Sequence, residues 1–279
     1  MDIPTPNKAD VVADWVELKI ACSRTSFSKA QLAKDLEANT SEEADEGFLN
    51  SVWDELRRRQ DEYKPPPFEV LSRSIRPTRS WKRLPSYLPC LFFSVFGGSE
   101  GLSLSAKIFE RITAESLRNY GGLEVRVFGW PVEEGDPKDI KTRAKNLAGM
   151  MNETFVQPPD EDKKDDTLDV AAWKPFNDSR SSQIVVLMQC GIGKDPQDKA
   201  NTLRLHAWQK YIHWGALPVP GLAVPSIIPP KRWSDLALNE ELLLDRIRIY
   251  NLLSHGECEP SLALDLNRWC NAEILRLAS

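Results

Sequence analysis

Histidine is scarce in this chain and paired cysteines are missing: 279 residues contain three histidines and five cysteines. Cys22, Cys90, Cys190, Cys258 and Cys270 are scattered, odd in number and never in CxxC spacing. That usage reads as reduced thiols in a cytosol and argues against a structural zinc. Long apolar runs are also lacking. No stretch approaches the roughly 20 residues that span a bilayer, so no membrane partner is expected. The opening MDIPTPNKAD has no basic head followed by an apolar segment, which excludes a secretory signal there and leaves a cytoplasmic expectation. A surplus of positive charge is absent as well. The net charge is −5, whereas free-standing nucleic-acid binders are usually basic.

Charge is nonetheless distributed unevenly. Arg57, Arg58, Arg59, Lys64, Arg73, Arg76, Arg79, Lys82 and Arg83 cluster over 57–83, and acids gather at 42–46 and 160–166. Such a stripe suits phosphate, a solvated face or an acidic partner protein. Residues 1–64 read as a small helical module whose spacing would also suit a winged helix. Val11, Trp15, Leu18 and Cys22 recur at helical spacing. Ser28 and Gln31 form a capping box ahead of Leu32 and Leu36, and a third helix follows Thr40 or Ser41 with Phe48, Val52, Trp53 and Leu56 on one side. Pro65, Pro66 and Pro67 mark a boundary. FEVLSRSI and LPCLFFSVF, within a connecting segment 65–100, read as strands.

From 101 to 230 the pattern is α/β. LSAKIFERITAESLRNY puts Ile108, Phe109, Ile112, Leu117 and Tyr120 on one helical face, with Gly121-Gly122 as a stop. LEVRVFGW is a short strand, and 136–151 is an inserted helix capped by Asp136. After the acidic PPDEDKKDD come the strands TLDVAAW and QIVVLMQC, the helix DPQDKANTLRLHAWQKYIHW and the strand GLAVPSII. Residues 231–279 add two C-terminal helices.

One polar residue is conspicuous in that order. Asp169 lies in an otherwise apolar strand, where a carboxylate is costly unless a cation or hydrogen-bond donors satisfy it. Its plain alternative is a strand-end residue capping the turn after Asp165 and Asp166. Gln189 ends the next apolar strand, and the right register would bring it beside Asp169. Glu110 projects from the preceding helix, with Glu115 as a rival. Other signals are weaker. GIGK lacks the spacing of a phosphate loop, Cys190 has no histidine placed to activate it, and His206 and His213 suit packing or the surface.

The order helix, three strands, helix, strand resembles the restriction-endonuclease-like core (αβββαβ) of the PD-(D/E)xK superfamily over roughly residues 101–228. KIFERITAESLRNYGG is similar to the opening helix of Mrr-like members. LDVAAW resembles the strand bearing their metal-binding aspartate, and VVLMQC the strand where they read Gln-Cys-Lys. The resemblance implies a metal-dependent DNA endonuclease, a subunit of a bacterial restriction or anti-phage complex. DNA and a partner protein, for instance an ATPase, are the implied partners, and Mg²⁺ or Mn²⁺ the implied cofactor. Glu110, Asp169, Gln189 and the main-chain carbonyl of Cys190 would hold the metal, with Asp169 and Gln189 in catalytic roles. The chain departs from the pattern at Gly191, where a lysine is expected. Lys194 or Lys174 would have to supply that ammonium. A catalytically inactive nuclease-like scaffold is the alternative.

Overall fold

A computed structural model describes residues 8–40, 44–97, 102–160, 162–193, 199–200, 202–238, 242–255 and 258–278. The chain divides into two compact units, one of residues 1–97, 225–227 and 246–279, the other of 98–224 and 228–245.

The first unit opens with α1 (Ala9–Ser23), β1 (Phe27–Ser28), α2 (Lys29–Thr40) and α3 (Glu46–Glu62). Strands β2 (Phe68–Val70) and β3 (Ser74–Pro77) follow, and the sheet order is β1-β3-β2, antiparallel throughout. Three helices followed by a hairpin that recruits the short strand between the first two helices is the winged-helix arrangement. The helical module therefore extends through the hairpin, past the prolines. The Ser28–Gln31 box forms as expected: Gln31 Oε1 accepts the Ser28 N–H at 2.7 Å, and Ser28 Oγ accepts the Gln31 N–H at 3.1 Å. For α3 the cap is Asp45, which accepts the Phe48 N–H at 2.7 Å, instead of Thr40 or Ser41.

LPCLFFSVF is a helix, α4 (Tyr87–Phe96), and not a strand. Its side chains are buried nearly all round, and a short apolar run cannot tell a submerged helix from a submerged strand. Helices α9 (Arg246–His255) and α10 (Pro260–Ala278) complete this unit. Its core runs from Trp15, Val16 and Leu18 through Trp53, Leu56, Tyr63 and Phe68 to Tyr87, Leu91 and Tyr250.

Within that core sits a network of buried charge. Arg59 Nη1 donates to Asp14 Oδ1 at 2.6 Å and Glu17 Oε1 at 2.7 Å. Arg246 Nη2 donates to Asp14 Oδ1 at 2.5 Å, and Arg246 Nε to the Tyr63 hydroxyl at 2.9 Å. Tyr63 and Tyr87 hydroxyls both donate to Glu17 Oε2. Burial alone would raise the Asp14 pKa, but Arg246 and Arg59 outweigh it and hold the carboxyl at about 2.

The second unit contains α5 (Leu102–Gly121), β4 (Glu124–Val127), α6 (Ile140–Met150), β5 (Thr154–Phe155), β6 (Val170–Lys174), β7 (Ile184–Cys190), α7 (Leu205–Tyr211), β8 (Ile212–His213), β9 (Val219–Ala223), α8 (Pro230–Ala237) and β10 (Leu242–Leu244). The main sheet has the order β10-β9-β7-β6-β4. β6 pairs antiparallel with both β4 and β7, while β9 pairs parallel with β7 and β10 parallel with β9. An α/β unit with a mixed sheet, as expected, is thus established. Differences are local. The inserted helix starts at Ile140 under an Asp139 cap, Tyr120 is exposed, and NEELLLDRIRIYNLL divides into β10 and α9. The described part of the long helix expected over 195–214 is only α7, ended by β8 pairing with β5.

Both faces of the sheet are covered. Ala171, Trp173, Val185 and Leu187 pack with Leu147, Leu203 and Trp208 on one side. Alternation along β6 and β7 turns Val170, Ala172, Val186, Met188 and Cys190 to the other side, where α5 packs. Covering both faces explains why these strands read as continuous apolar runs.

Candidate functional site

Asp169 immediately precedes β6. Its N–H donates to the Met188 carbonyl at 3.0 Å, and its own carbonyl accepts from Phe128 at 2.7 Å and Gly129 at 3.0 Å. The side chain completes the pairing: Asp169 Oδ2 accepts the Cys190 N–H at 2.7 Å. This carboxylate is therefore fixed at the end of the sheet. Two consecutive left-handed residues, Asp166 (φ 44°) and Thr167 (φ 68°), turn the chain into it. Asp166 is buried and holds the turn by accepting from the Tyr211 hydroxyl at 2.7 Å, while Thr167 Oγ1 accepts the Arg204 N–H at 3.0 Å.

Glu110 is 3% exposed on the face of α5 toward the sheet. Its Oε2 accepts from Lys107 Nζ at 2.6 Å, and the same ammonium donates to the Gly129 carbonyl. Gly129 has no Cβ where the carboxylate lies; a methyl there would stand 2.6 Å from Glu110 Oε1. Burial first, and then the neighbouring Asp169 charge, push Glu110 up to about 8, against a smaller opposing effect of Lys107. Burial likewise raises Asp169 to about 6, with the Cys190 N–H and Lys199 opposing and Asp165 adding repulsion. Glu110 and the half-buried Asp169 thus lie within each other's field, with Lys107 bonded to Glu110 and Lys199 acting on Asp169.

The remaining expected residues divide. Cys190 Sγ, on the α5 face, reaches the Thr113 hydroxyl at 3.5 Å, and burial holds the thiol far above its ordinary range. The Cys190 carbonyl accepts from Lys199 Nζ at 3.0 Å. Gln189 belongs to the opposite face with Val185 and Leu187, and its Oε1 accepts from the Thr202 hydroxyl at 2.6 Å. The carbonyl oxygen that would ligate a metal is thus already engaged. Lys194 lies outside the described residues.

Lys174 is corrected. It ends β6 at the pole opposite Asp169, five residues or about 17 Å away at a strand's rise of roughly 3.3 Å per residue. Its Nζ donates to the Gly121 and Gly122 carbonyls at 2.8 and 3.0 Å, capping the C-terminus of α5.

Sequence reasoning missed Lys199, Lys107 and Gly129. Lys107 stands one helical turn before Glu110, a spacing that pairs charges. Gly129, alone in a strand-like run, carried the usual mark of close approach. Lys199 had no periodic signal at all.

Four of the nine residues of the basic stripe are paired with acids. Arg57 pairs with Asp54, Arg58 with Glu55 and Glu62, Arg59 with Asp14 and Glu17, and Arg76 with Glu69.

Among the described residues, no group of three or more His, Cys, Asp or Glu side chains is arranged to hold a metal ion. Mg²⁺ needs fewer, since one or two carboxylates with water and substrate oxygens suffice. Two carboxylates and the Cys190 carbonyl, all hard oxygen donors, suit that coordination. No described helix is long and apolar enough to cross a membrane. The chain matches no known family model, no curated protein and no solved structure.

Proposed function

We propose that this protein is a Mg²⁺- or Mn²⁺-dependent DNA endonuclease with a PD-(D/E)xK-like core, acting with a protein partner such as an ATPase in a bacterial restriction or anti-phage complex. The biological setting rests on the sequence resemblance alone. The chemistry rests on one observation: Glu110, buried, and Asp169, half-buried, lie within each other's field at the end of a mixed sheet, both raised in pKa. Such a pair is stabilised by a hard cation.

When bound, the ion supplies positive charge at a phosphoryl oxygen and a water of lowered pKa. Glu110, Asp169 and the Cys190 carbonyl would hold it. Lys199, on the segment after β7, stands in for the lysine missing at Gly191. Its ammonium lies at the Cys190 carbonyl and acts electrostatically on Asp169, within reach of charge developing on phosphate. The winged helix gives the chain a second element suited to duplex DNA, with α3 in the position of a recognition helix.

A second reading is an inactive nuclease-like scaffold or interaction subunit. Two observations favour it: the Gln189 oxygen is committed to Thr202, and the arginines of α3 are paired internally. Plasmid nicking separates the readings. The purified protein with Mg²⁺ or Mn²⁺ is expected to nick DNA, and Asp169→Ala to abolish it. Absence of cleavage with either metal, alone and with the natural partner, would establish the scaffold.

A further inference from the structure

A cavity of about 40 Å³ lies between β4 and α6, lined by Arg126, Phe128, Asp136, Arg143, Asn146 and Met150 among others. Arg143 is 6% exposed, although arginine is almost never this buried unless paired. Its guanidinium stacks on the Phe128 ring, 4.0 Å from the centroid, which fixes its plane. Nη1 donates to the Lys164 carbonyl at 2.9 Å. Nη2 is buried with no hydrogen-bond partner among the described residues. Leaving a buried charged donor unsatisfied is costly, so such groups are normally met by a ligand or water.

The second guanidinium in the cavity wall, Arg126, pairs with Asp136. Two arginines against one aspartate leave the lining with a single net positive charge. The volume is several times the roughly 10–15 Å³ that one water occupies by the same measure, and it suits one compact oxyanion. Phe128 ties the cavity to the site, because its N–H donates to the Asp169 carbonyl.

We propose that this cavity binds one phosphate group, held by Arg143 with Arg126 contributing charge. Guanidinium N–H groups in a fixed fork match phosphate oxygens better than they match water. Because the Phe128 wall of the cavity is hydrogen-bonded to the Asp169 carbonyl, the bound group is a phosphate of the same substrate, next to the one cleaved or at a strand's 5′ end. That assignment rests on the nuclease reading, whereas affinity for phosphate does not.

The test is calorimetric titration with inorganic phosphate in EDTA, without divalent metal. The wild-type chain is expected to bind one equivalent. Arg126→Gln and Arg143→Gln should each weaken binding about tenfold, the loss of one charge-assisted hydrogen bond. Asp169→Ala should leave it unchanged, which separates this site from the metal centre. Arg126 is partly exposed, so its variant keeps the test alive should Arg143→Gln fail to fold. A 5′-phosphorylated dinucleotide that competes with phosphate identifies a strand end as the source, and one that does not identifies the free ion. No binding by the wild type, binding indifferent to both arginine variants, or binding lost with Asp169→Ala overturns the proposal.

Discussion

Two clusters of buried charge lie in this chain, built on opposite plans. In the first unit, Asp14 and Glu17 meet Arg59 and Arg246, acid against base, with tyrosine hydroxyls filling remaining valences. In the α/β unit, Glu110 and Asp169 face each other's charge, with Lys107 bonded to only one of them. The carboxyl pKa values follow: Asp14 falls to about 2, whereas Glu110 and Asp169 rise to about 8 and 6. Burial is common to both clusters. Contact is what differs: both acids of the first cluster are bonded to guanidinium groups, whereas Lys107 bonds Glu110 and Asp169 accepts a main-chain N–H.

The largest effect expected from breaking this contrast is in the first cluster. Arg59→Met leaves two buried carboxylates with Arg246 as their one bonded guanidinium, so urea unfolding should show a loss of about 3–5 kcal/mol. The same kind of deletion in the other cluster has the opposite sign. Glu110→Gln removes repulsion, and at pH 8 without metal it should stabilise the protein, read as a higher midpoint in the same denaturation.

The pH dependence sharpens the contrast. A carboxyl raised on folding contributes stability that is full below its ordinary value and is lost as pH rises through its folded value. For Glu110 that window runs from 4.5 to about 8, and for Asp169 from 3.8 to about 6. Metal-free protein should therefore lose about 2–4 kcal/mol between pH 5 and 9, by order of magnitude, and Glu110→Gln should flatten much of that slope. Asp14 runs the other way. Its contribution is present above 3.8 and is lost as pH falls toward about 2, so acid unfolding should begin in the first unit. Thermal melts across pH, with tryptophan and far-ultraviolet probes, would detect both limbs.

Smaller effects test positioning. Tyr211→Phe takes one donor from buried Asp166 and should cost about 1–3 kcal/mol, loosening the turn that carries Asp169. Lys174→Ala should cost only about 0.5–1 kcal/mol through the end of α5 and leave metal affinity unchanged. Weakened metal binding in Lys174→Ala would contradict its placement at the far pole.

These contrasts also explain what the sequence could disclose. Asp169 and Glu110 were visible because each breaks a pattern: a carboxylate in an apolar strand, an acid on the inner face of an amphipathic helix. The strand order was visible because β6 and β7 are buried on both faces and stand out as unbroken apolar runs. LPCLFFSVF misled for the same reason, since burial all round erases periodicity. Lys174 misled because adjacency to the Asp169 strand carries no information about which end a side chain occupies. Lys199 could not be found. It sits in a polar stretch, and only the return of residues 199–204 against Cys190, Gln189 and Thr167 brings it to the site. The neutralisation of Arg59 was equally hidden, because Asp14 and Glu17 are more than forty residues away in sequence.

The central claim is that the Glu110 and Asp169 pair holds a divalent cation. Calorimetric titration of Mn²⁺ at pH 8 in two buffers of different ionisation enthalpy tests it directly. The expected result is one equivalent bound with net proton release, since Glu110 is half protonated near that pH, and loss of binding in both Asp169→Ala and Glu110→Gln. Mn²⁺ binding of the same affinity in either variant, or none in the wild type, would contradict it.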